Sequence, residues 1–520
     1  MNEYKQNLLA EVAGFREIGH RFVKKEVSSA EFKAVSGGMG VYAQRGGEKF
    51  MIRLRIPCGI FDFNDLKLIG CYTKKYNLDY VHFTTRQAIQ LHDLDIDSLC
   101  DIMEDTIING LYSRGSGGNF PRNIALSPLS GVDKEEAFDV TPYAKAAGEY
   151  LMKNITKYRL PRKLKIAFSG SSRDTANATL TDLGFVAVKQ GNKQFFKVYV
   201  AGGLGNNPKL GLELNELIRP SEVLYYVESV IRIFMAEGDY ENKSRARLRY
   251  VPERMGEEEF LICFKNYIKE VKETMKFKEI RGIRSKLVKQ PQTDDNRGFD
   301  EREVIVQKQK GLYTVELHPT CGIMPRKELL FLIDCLEKQE IQDVRLTMTE
   351  SMYIRNLTNV GAKEILKIGE EIRREDNISK SVTCIGVPTC QIGILNSREL
   401  LQSILTYIGE KKTPLDYLPS LFISGCTNSC ARHQVNPLGF AGGKKRVDGQ
   451  AVEVFEVHAG GKVLKGETRL GKVVGHIKQN DIPRFIDELG HRLYDLKKEY
   501  GTFIEEDFGD FETLVEPYLI

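Results

Sequence analysis

The chain has 520 residues, 42% of them hydrophobic and 28% charged, with a formal net charge of +4. At about 150 residues per domain, that length suits three or four units or one large duplicated body, and the charge is too slight to argue for a nucleic-acid partner. No run of about 18 apolar residues offers a membrane span, and "MNEYKQNLLAEVAGF" lacks the basic flank and apolar core of a signal peptide, so a cytoplasmic protein is expected. Ten cysteines are too few for a secreted disulfide scaffold, and clustered thiols in a reducing compartment more often hold metal.

After an N-terminal segment, Ile52, Leu54 and Ile56 alternate as a half-buried strand does. Residues 64–76 carry helical spacing, Val81 with Phe83 and Ile89 with Leu91 alternate again, and a further helix follows. This order returns. Cys58-Gly59-Ile60 recurs as Cys321-Gly322-Ile323, and the ungapped offset keeps the apolar pattern through Leu66/Leu329, Ile69/Leu332, Val81/Val344 and Phe83/Leu346. A second repeat aligns "SGSSRDTANATLTDLGF" (169–185) with "SGCTNSCARHQVNPLGF" (424–440), and "FKVYVAGG" (196–203) with "FEVHAGG" (455–461). The body is therefore read as duplicated, with the polar stretch 289–303 as connector. In this register Cys426 faces Ser171 and Cys430 faces Thr175, so one half carries a thiol site that the other lacks. Gly202-Gly203 and Gly460-Gly461 mark a repeated structural turn more simply than a phosphate loop.

Of the ten cysteines, Cys71, Cys100, Cys263 and Cys335 sit in apolar contexts and are expected in the core. Cys58 and Cys321 follow strands at the repeated turn, which argues for structural placement. Cys384, Cys390, Cys426 and Cys430 form two pairs on two loops. Zinc is the main rival for them, but structural zinc sites usually leave two to four residues within a pair, and the first gap here is five. Iron–sulfur clusters accept four thiolates at varied spacing, and Gly386, Pro388, Gly393 and Gly425 suit the tight turns such a site needs. The spacing of radical-generating enzymes is absent.

The run Cys384-x5-Cys390-x35-Cys426-x3-Cys430 resembles the signature of the siroheme- and 4Fe-4S-dependent sulfite and nitrite reductases. The resemblance implies that the four thiolates hold a 4Fe-4S cluster and that Cys430 also ligates siroheme iron. "TTRQAIQLH", "NFPRNIALSPLSG" and "LPRKLKIAFSG" match the family's substrate-pocket motifs. They carry over Arg86, Arg122, Lys163 and Lys165 as anion and proton-relay residues, Arg162 as a siroheme carboxylate partner, and Asn428 as a neighbour of the macrocycle. Alternation in "RKLK" places Lys163 and Lys165 on one strand face with Leu164 opposite, a costly pairing of like charges unless an anion sits before them.

The implied fold is α/β (α+β), an internally duplicated body of two ferredoxin-like half-domains and two larger siroheme- and cluster-binding lobes with pseudo-twofold symmetry. Its expected divisions are an N-terminal segment (1–44), a first half-domain (45–110), a first lobe (111–285), a linker (286–303), a second half-domain (304–375) and a second lobe (376–520). The implied activity is six-electron reduction of a small oxyanion, sulfite to sulfide or nitrite to ammonia. "PRK-x-K" is typical of sulfite reductases, whereas plant-type nitrite reductases tend to place Asn at the second position, so Lys165 favours sulfite. Phe120 departs from relatives that carry Cys there for a cross-link to tyrosine. No dinucleotide fingerprint follows a strand, so electrons are expected from ferredoxin or another small donor protein, docking at Lys444, Lys445 and Arg446. A non-catalytic iron–sulfur carrier or sensor is the alternative of another class, and it would leave the pocket cations without use.

Overall fold

The computed structural model describes residues 3–278, 280, 299, 303–341, 343–368, 372, 374–447 and 449–520. The expected connector falls outside them except at residues 299 and 303. The N-terminal segment contributes two helices, Glu3–Val23 and Ser29–Met39. The second opens on Ser28, whose hydroxyl accepts from the Glu31 amide while the Glu31 carboxylate accepts from the Ser28 amide.

Among the described residues, twenty strands follow in four sets of five. The first is β1 (Val41–Ala43), β2 (Phe50–Arg55), β3 (Ile60–Asp62), β4 (Tyr80–Phe83) and β5 (Ala88–Leu94). The second is β6 (Ala125–Leu126), β7 (Ile166–Ser169), β8 (Leu183–Gln190), β9 (Lys193–Val200) and β10 (Leu212–Glu213). The third is β11 (Ile305–Val306), β12 (Tyr313–Leu317), β13 (Ile323–Pro325), β14 (Asp343–Leu346) and β15 (Met352–Leu357). The fourth is β16 (Val382–Thr383), β17 (Leu421–Ser424), β18 (Leu438–Val447), β19 (Gln450–Ala459) and β20 (Lys472–Lys478).

The first and third sets exchange a strand. Their sheets run β1-β2-β5-β4-β13 and β11-β12-β15-β14-β3. Antiparallel pairing sets Met324 opposite Val81 and Phe61 opposite Val344. The turns that send these strands across hold Cys58 at φ 57° and Cys321 at φ 58°, both thiols buried, which explains the repeated Cys-Gly-Ile. Asp62 then caps the helix Phe63–Lys75 by accepting from the amides of Asn64 and Asp65 at 2.9 and 3.0 Å. That helix buries Leu66 and Ile69 and packs against Leu332 and Ile333 of the helix Arg326–Lys338, so the two half-domains share one core.

Each lobe sheet has two parallel pairings followed by two antiparallel ones, β6-β7-β8-β9-β10 and β16-β17-β18-β19-β20. The second sequence repeat begins where a central strand ends, Ser169 on β7 and Ser424 on β17. It finishes where the next begins, Leu183 on β8 and Leu438 on β18. A Cβ on Gly184 would lie 1.8 Å from the Ala178 carbonyl, and one on Gly439 1.9 Å from that of His433, so this loop closes only over glycine in both copies. No helix among the described residues is long and apolar enough to cross a membrane.

Two expectations change. Of the four presumed core cysteines only Cys100 is buried; Cys263 and Cys335 are half-buried and Cys71 is exposed. Cys71 lies two residues beyond Ile69, rotated off the face that Leu66 and Ile69 turn to the core. Lys163 and Lys165 also precede β7 rather than standing on a strand. Between them Leu164 makes an isolated bridge to Pro121 and enters the core, which still sends the two lysines the opposite way.

Candidate active site

The turn joining β4 to β5 reaches both lobes. Thr85 Oγ1 donates to the Cys430 carbonyl at 2.8 Å, across 345 residues of sequence. Arg86 donates through Nε to the Asn123 carbonyl at 3.1 Å and through Nη2 to the Ile166 carbonyl at 2.8 Å. Gln87, fully buried, donates from Nε2 to the carbonyls of Leu126 and Leu346 and accepts from the Leu126 amide. One turn thus fixes Arg86 against the strand that follows Lys165.

Arg122 spends its guanidinium on main-chain carbonyls, with Nη1 to Gly115, Gly117 and Phe120 at 3.3, 2.7 and 3.2 Å and Nη2 to Gly118 at 2.8 Å. It organises the glycine-rich loop before it, and its charge is left without a carboxylate. Lys163 and Lys165 flank Leu164, whose amide and carbonyl bond to the Phe120 carbonyl and Arg122 amide. Burial pushes the Lys163 ammonium down to about 7, reinforced by Arg247, Arg122 and Arg162 and opposed by Cys430. Burial also holds Lys165 well below the ordinary lysine value, with Lys163, Arg247 and Arg86 adding to it and Asp182 opposing. Guanidinium groups stay charged, so burying Arg86 and Arg122 among other cations is costly unless anions answer them.

On the opposing lobe, the Gly425 amide donates to Cys384 Sγ at 3.1 Å, and Asn428 Nδ2 donates to Cys426 Sγ at 3.3 Å. Burial pushes the Cys384 thiol up to about 12, with Cys430 contributing. Cys430 is raised by burial and by Cys426 and Cys390, and lowered by Lys163 and Lys165, so all four thiols and both lysines share one electrostatic neighbourhood. Cys430 is itself accessible to solvent. Asn428, two residues before Cys430, and Arg162, next to Lys163, are both exposed. Among the described residues, no group of three or more His, Cys, Asp or Glu side chains is placed to hold a single metal ion.

Sequence reasoning passed over Asp182, Arg247, Arg249 and Arg432. Asp182 accepts the Lys165 amide at 2.7 Å and pairs with Arg247 Nη2 at 3.1 Å from each oxygen. Arg249 clasps the carbonyl of Leu204 at 3.3 Å and that of Asn206. That loop returns to the cysteine lobe, where the Gly205 amide and carbonyl bond Gln434 at 2.9 and 3.1 Å. Nε of Arg247, Arg249 and Arg432 is buried without a partner. The available signal was "RARLRY", where Arg247 and Arg249 flank Leu248 as Lys163 and Lys165 flank Leu164. Two cavities of about 500 and 380 Å³ lie elsewhere, joined at Thr320 and Gln402, and neither is lined by these cations.

Family models match the chain twice: "Nitrite/Sulfite reductase ferredoxin-like half domain" over residues 42–106 and "Nitrite and sulphite reductase 4Fe-4S domain" over 117–272. A ferredoxin–nitrite reductase of Synechococcus elongatus is 27% identical over 454 residues, covering 85% of each chain. Sulfite reductase [ferredoxin] 1 of Mycolicibacterium paratuberculosis is 26% identical, covering 87% of this chain and 81% of that one. The solved structure of the Mycobacterium tuberculosis NirA protein superposes with a TM-score of 0.77 at 21% identity, covering 94% of this chain and 93% of the other, which establishes a shared fold.

Proposed function

The chain belongs to the nitrite and sulphite reductase family, and on that premise we propose that it reduces sulfite to sulfide in preference to nitrite to ammonia, with ferredoxin as donor. It is an oxidoreductase of the ferredoxin-dependent sulfite and nitrite reductase type, and the family's cofactors are siroheme and a 4Fe-4S cluster. The residues present suit that pair. Half-buried Arg86, Arg122, Lys163 and Lys165 and buried Arg247 outnumber the buried Asp182 carboxylate set among them, which fits a macrocycle bearing eight carboxylates, and four thiols share one neighbourhood.

In this reading Cys384, Cys390, Cys426 and Cys430 would hold the cluster, Cys430 would also serve the siroheme iron, and Arg162 and Asn428 would border the macrocycle. Bound together, the two cofactors would relay to the oxyanion the six electrons that the donor protein delivers. The polypeptide supplies charge and protons. Arg86 and Arg122 raise the positive potential that draws in an oxyanion, and Lys163 and Lys165 hold protons at Nζ for the departing oxygens. A lysine with its value near 7 both gives up a proton and recovers one at neutral pH, which suits a donor used repeatedly.

The observation that carries the preference for sulfite is the second half-buried ammonium, that of Lys165. Sulfite brings up to two negative charges and three oxygens to remove, nitrite one charge and two oxygens, so Lys165 matters more for sulfite. Catalytic efficiency for the two anions, compared in wild type and Lys165→Asn, tests this. The substitution is expected to cost sulfite reduction about 100-fold and nitrite reduction about tenfold or less. A wild type that reduces nitrite efficiently and sulfite barely would overturn the preference.

A further inference from the structure

Asp182 is fully buried and lies on the rim of the cation cluster rather than in it. Its Oδ2 accepts the Lys165 amide at 2.7 Å, and both oxygens lie 3.1 Å from Arg247 Nη2. Its charge also acts on Arg86 and Arg249, opposing the burial that weighs on each. It is thus a counterion shared by Lys165, Arg247, Arg86 and Arg249.

The fold at this position does not require a carboxylate. In the other copy the equivalent residue is Pro437. The same main-chain bond closes both turns, from the Ala201 amide to the Asp182 carbonyl and from the Gly460 amide to the Pro437 carbonyl, each 2.9 Å. Register confirms the equivalence, because Val200 pairs with Leu183 and Ala459 with Leu438. At this position a buried carboxylate stands in the lobe that carries Lys163, Lys165 and Arg247, and proline stands in the other. Gly203 completes the arrangement, since a Cβ there would stand 2.9 Å from Arg249 Nη1 and 3.1 Å from Arg247 Nη2.

We propose that Asp182 is a positioning residue of the reductase, holding Lys165 and Arg247 in place and limiting the positive potential of the oxyanion pocket. The proposal rests on the reading of the pocket given above but not on which anion is reduced. Removing the charge has two opposed effects. The pocket binds an anion more tightly, and its lysines lose their protons more readily. Lys165 stands among Lys163, Arg247 and Arg86 with Asp182 as the opposing charge, so the loss of Asp182 moves its deprotonation to lower pH.

Asp182→Asn keeps an oxygen acceptor for the Lys165 amide and removes the charge. In the cofactor-loaded enzyme, sulfite and nitrite are each titrated against the siroheme absorption bands, and kcat is followed against pH. The expected result is about tenfold tighter anion binding, a lower kcat, and an alkaline limb of kcat displaced toward acid pH. Asp182→Glu should restore both affinity and limb toward wild type, whereas a purely structural role would make the larger carboxylate at least as damaging as Asn. Unchanged affinity and an unmoved limb in Asp182→Asn would overturn the proposal whichever anion proves to be the substrate. Should Asp182→Asn fail to fold, Asp182→Ser serves as the neutral variant, and failure of both to load cofactor would make Asp182 a folding residue and also refute it.

Discussion

Asp174 and Ser429 occupy the same position in the two copies of one loop, at φ 47° and φ 53°, and Asn177 and Arg432 match again at 57° and 61°. In the first lobe the loop closes on itself. Asp174 accepts from Ser169 Oγ, the amides of Ala178 and Thr179 and Thr179 Oγ1, at 2.5 to 3.0 Å, while Thr175 Oγ1 donates to Ser127 Oγ at 2.9 Å. In the second lobe Ser429 Oγ is buried without a partner, and Cys426 and Cys430 replace Ser171 and Thr175. The backbone is conserved between copies while its internal support is not, which is the arrangement expected where a cluster takes over the role of the Asp174 carboxylate. Changing Cys384, Cys390, Cys426 or Cys430 to Ser should therefore abolish iron and acid-labile sulfide in the purified protein. Cys71→Ser, on the outer face of its helix, should leave both at wild-type levels. Equal loss at Cys71 would undo the assignment of the four.

At the scale of elements, the order strand, helix, strand, strand, helix was legible because Ile52, Leu54 and Ile56, then Val81 and Phe83, keep a period of two over a buried face. The exchange of β3 and β13 was not. Each has three residues, too few to show a period, and their partners lie some 280 and 240 residues away, where pairing is decided by the shared core rather than by local pattern. The site divides similarly. Cysteines and lysines announce themselves by spacing, whereas Asp182 lies in the repeated stretch 169–185 at a position where the other copy has Pro437, so the repeat gives it no role. The hairpin of β18 and β19 carries Lys444, Lys445 and Arg446 on exposed positions, with Lys444 opposite Glu453 at 3.5 Å and Lys445 Nζ reaching the Ile520 carbonyl at 3.4 Å. An exposed pair of this kind is worth little to stability, so the cluster is available for steering an acidic donor. Reversing all three charges should slow ferredoxin-linked turnover at low ionic strength by about tenfold and flatten its salt dependence, while turnover with a small chemical reductant stays at wild type. Unchanged ferredoxin kinetics would place the docking surface elsewhere.

Across the whole molecule, strand exchange ties the two sequence repeats into one cooperative body. Without β13 the first half exposes the edge of β4, and without β3 the second exposes the edge of β14; each would also lose the facing wall of a core that runs from Leu66 and Ile69 to Leu332 and Ile333. The groups of the candidate site divide the same way. The cations Arg86, Arg122, Lys163 and Lys165 belong to the first half and the four thiols to the second, and contacts such as Thr85 to Cys430 and Gly205 to Gln434 join them. Neither repeat should therefore fold alone, and neither should carry activity. Expressed separately, residues 1–285 and 303–520 are expected to be insoluble or aggregated, since each presents an unpaired strand edge and an uncovered apolar face. Co-expressed, they should associate one to one, elute at the size of the intact chain and recover iron and siroheme content. Size-exclusion chromatography and cofactor analysis of the separate and co-expressed halves decide the matter: two soluble monomeric halves, each melting on its own, would show that the exchanged strands are dispensable and that the repeats are independent domains.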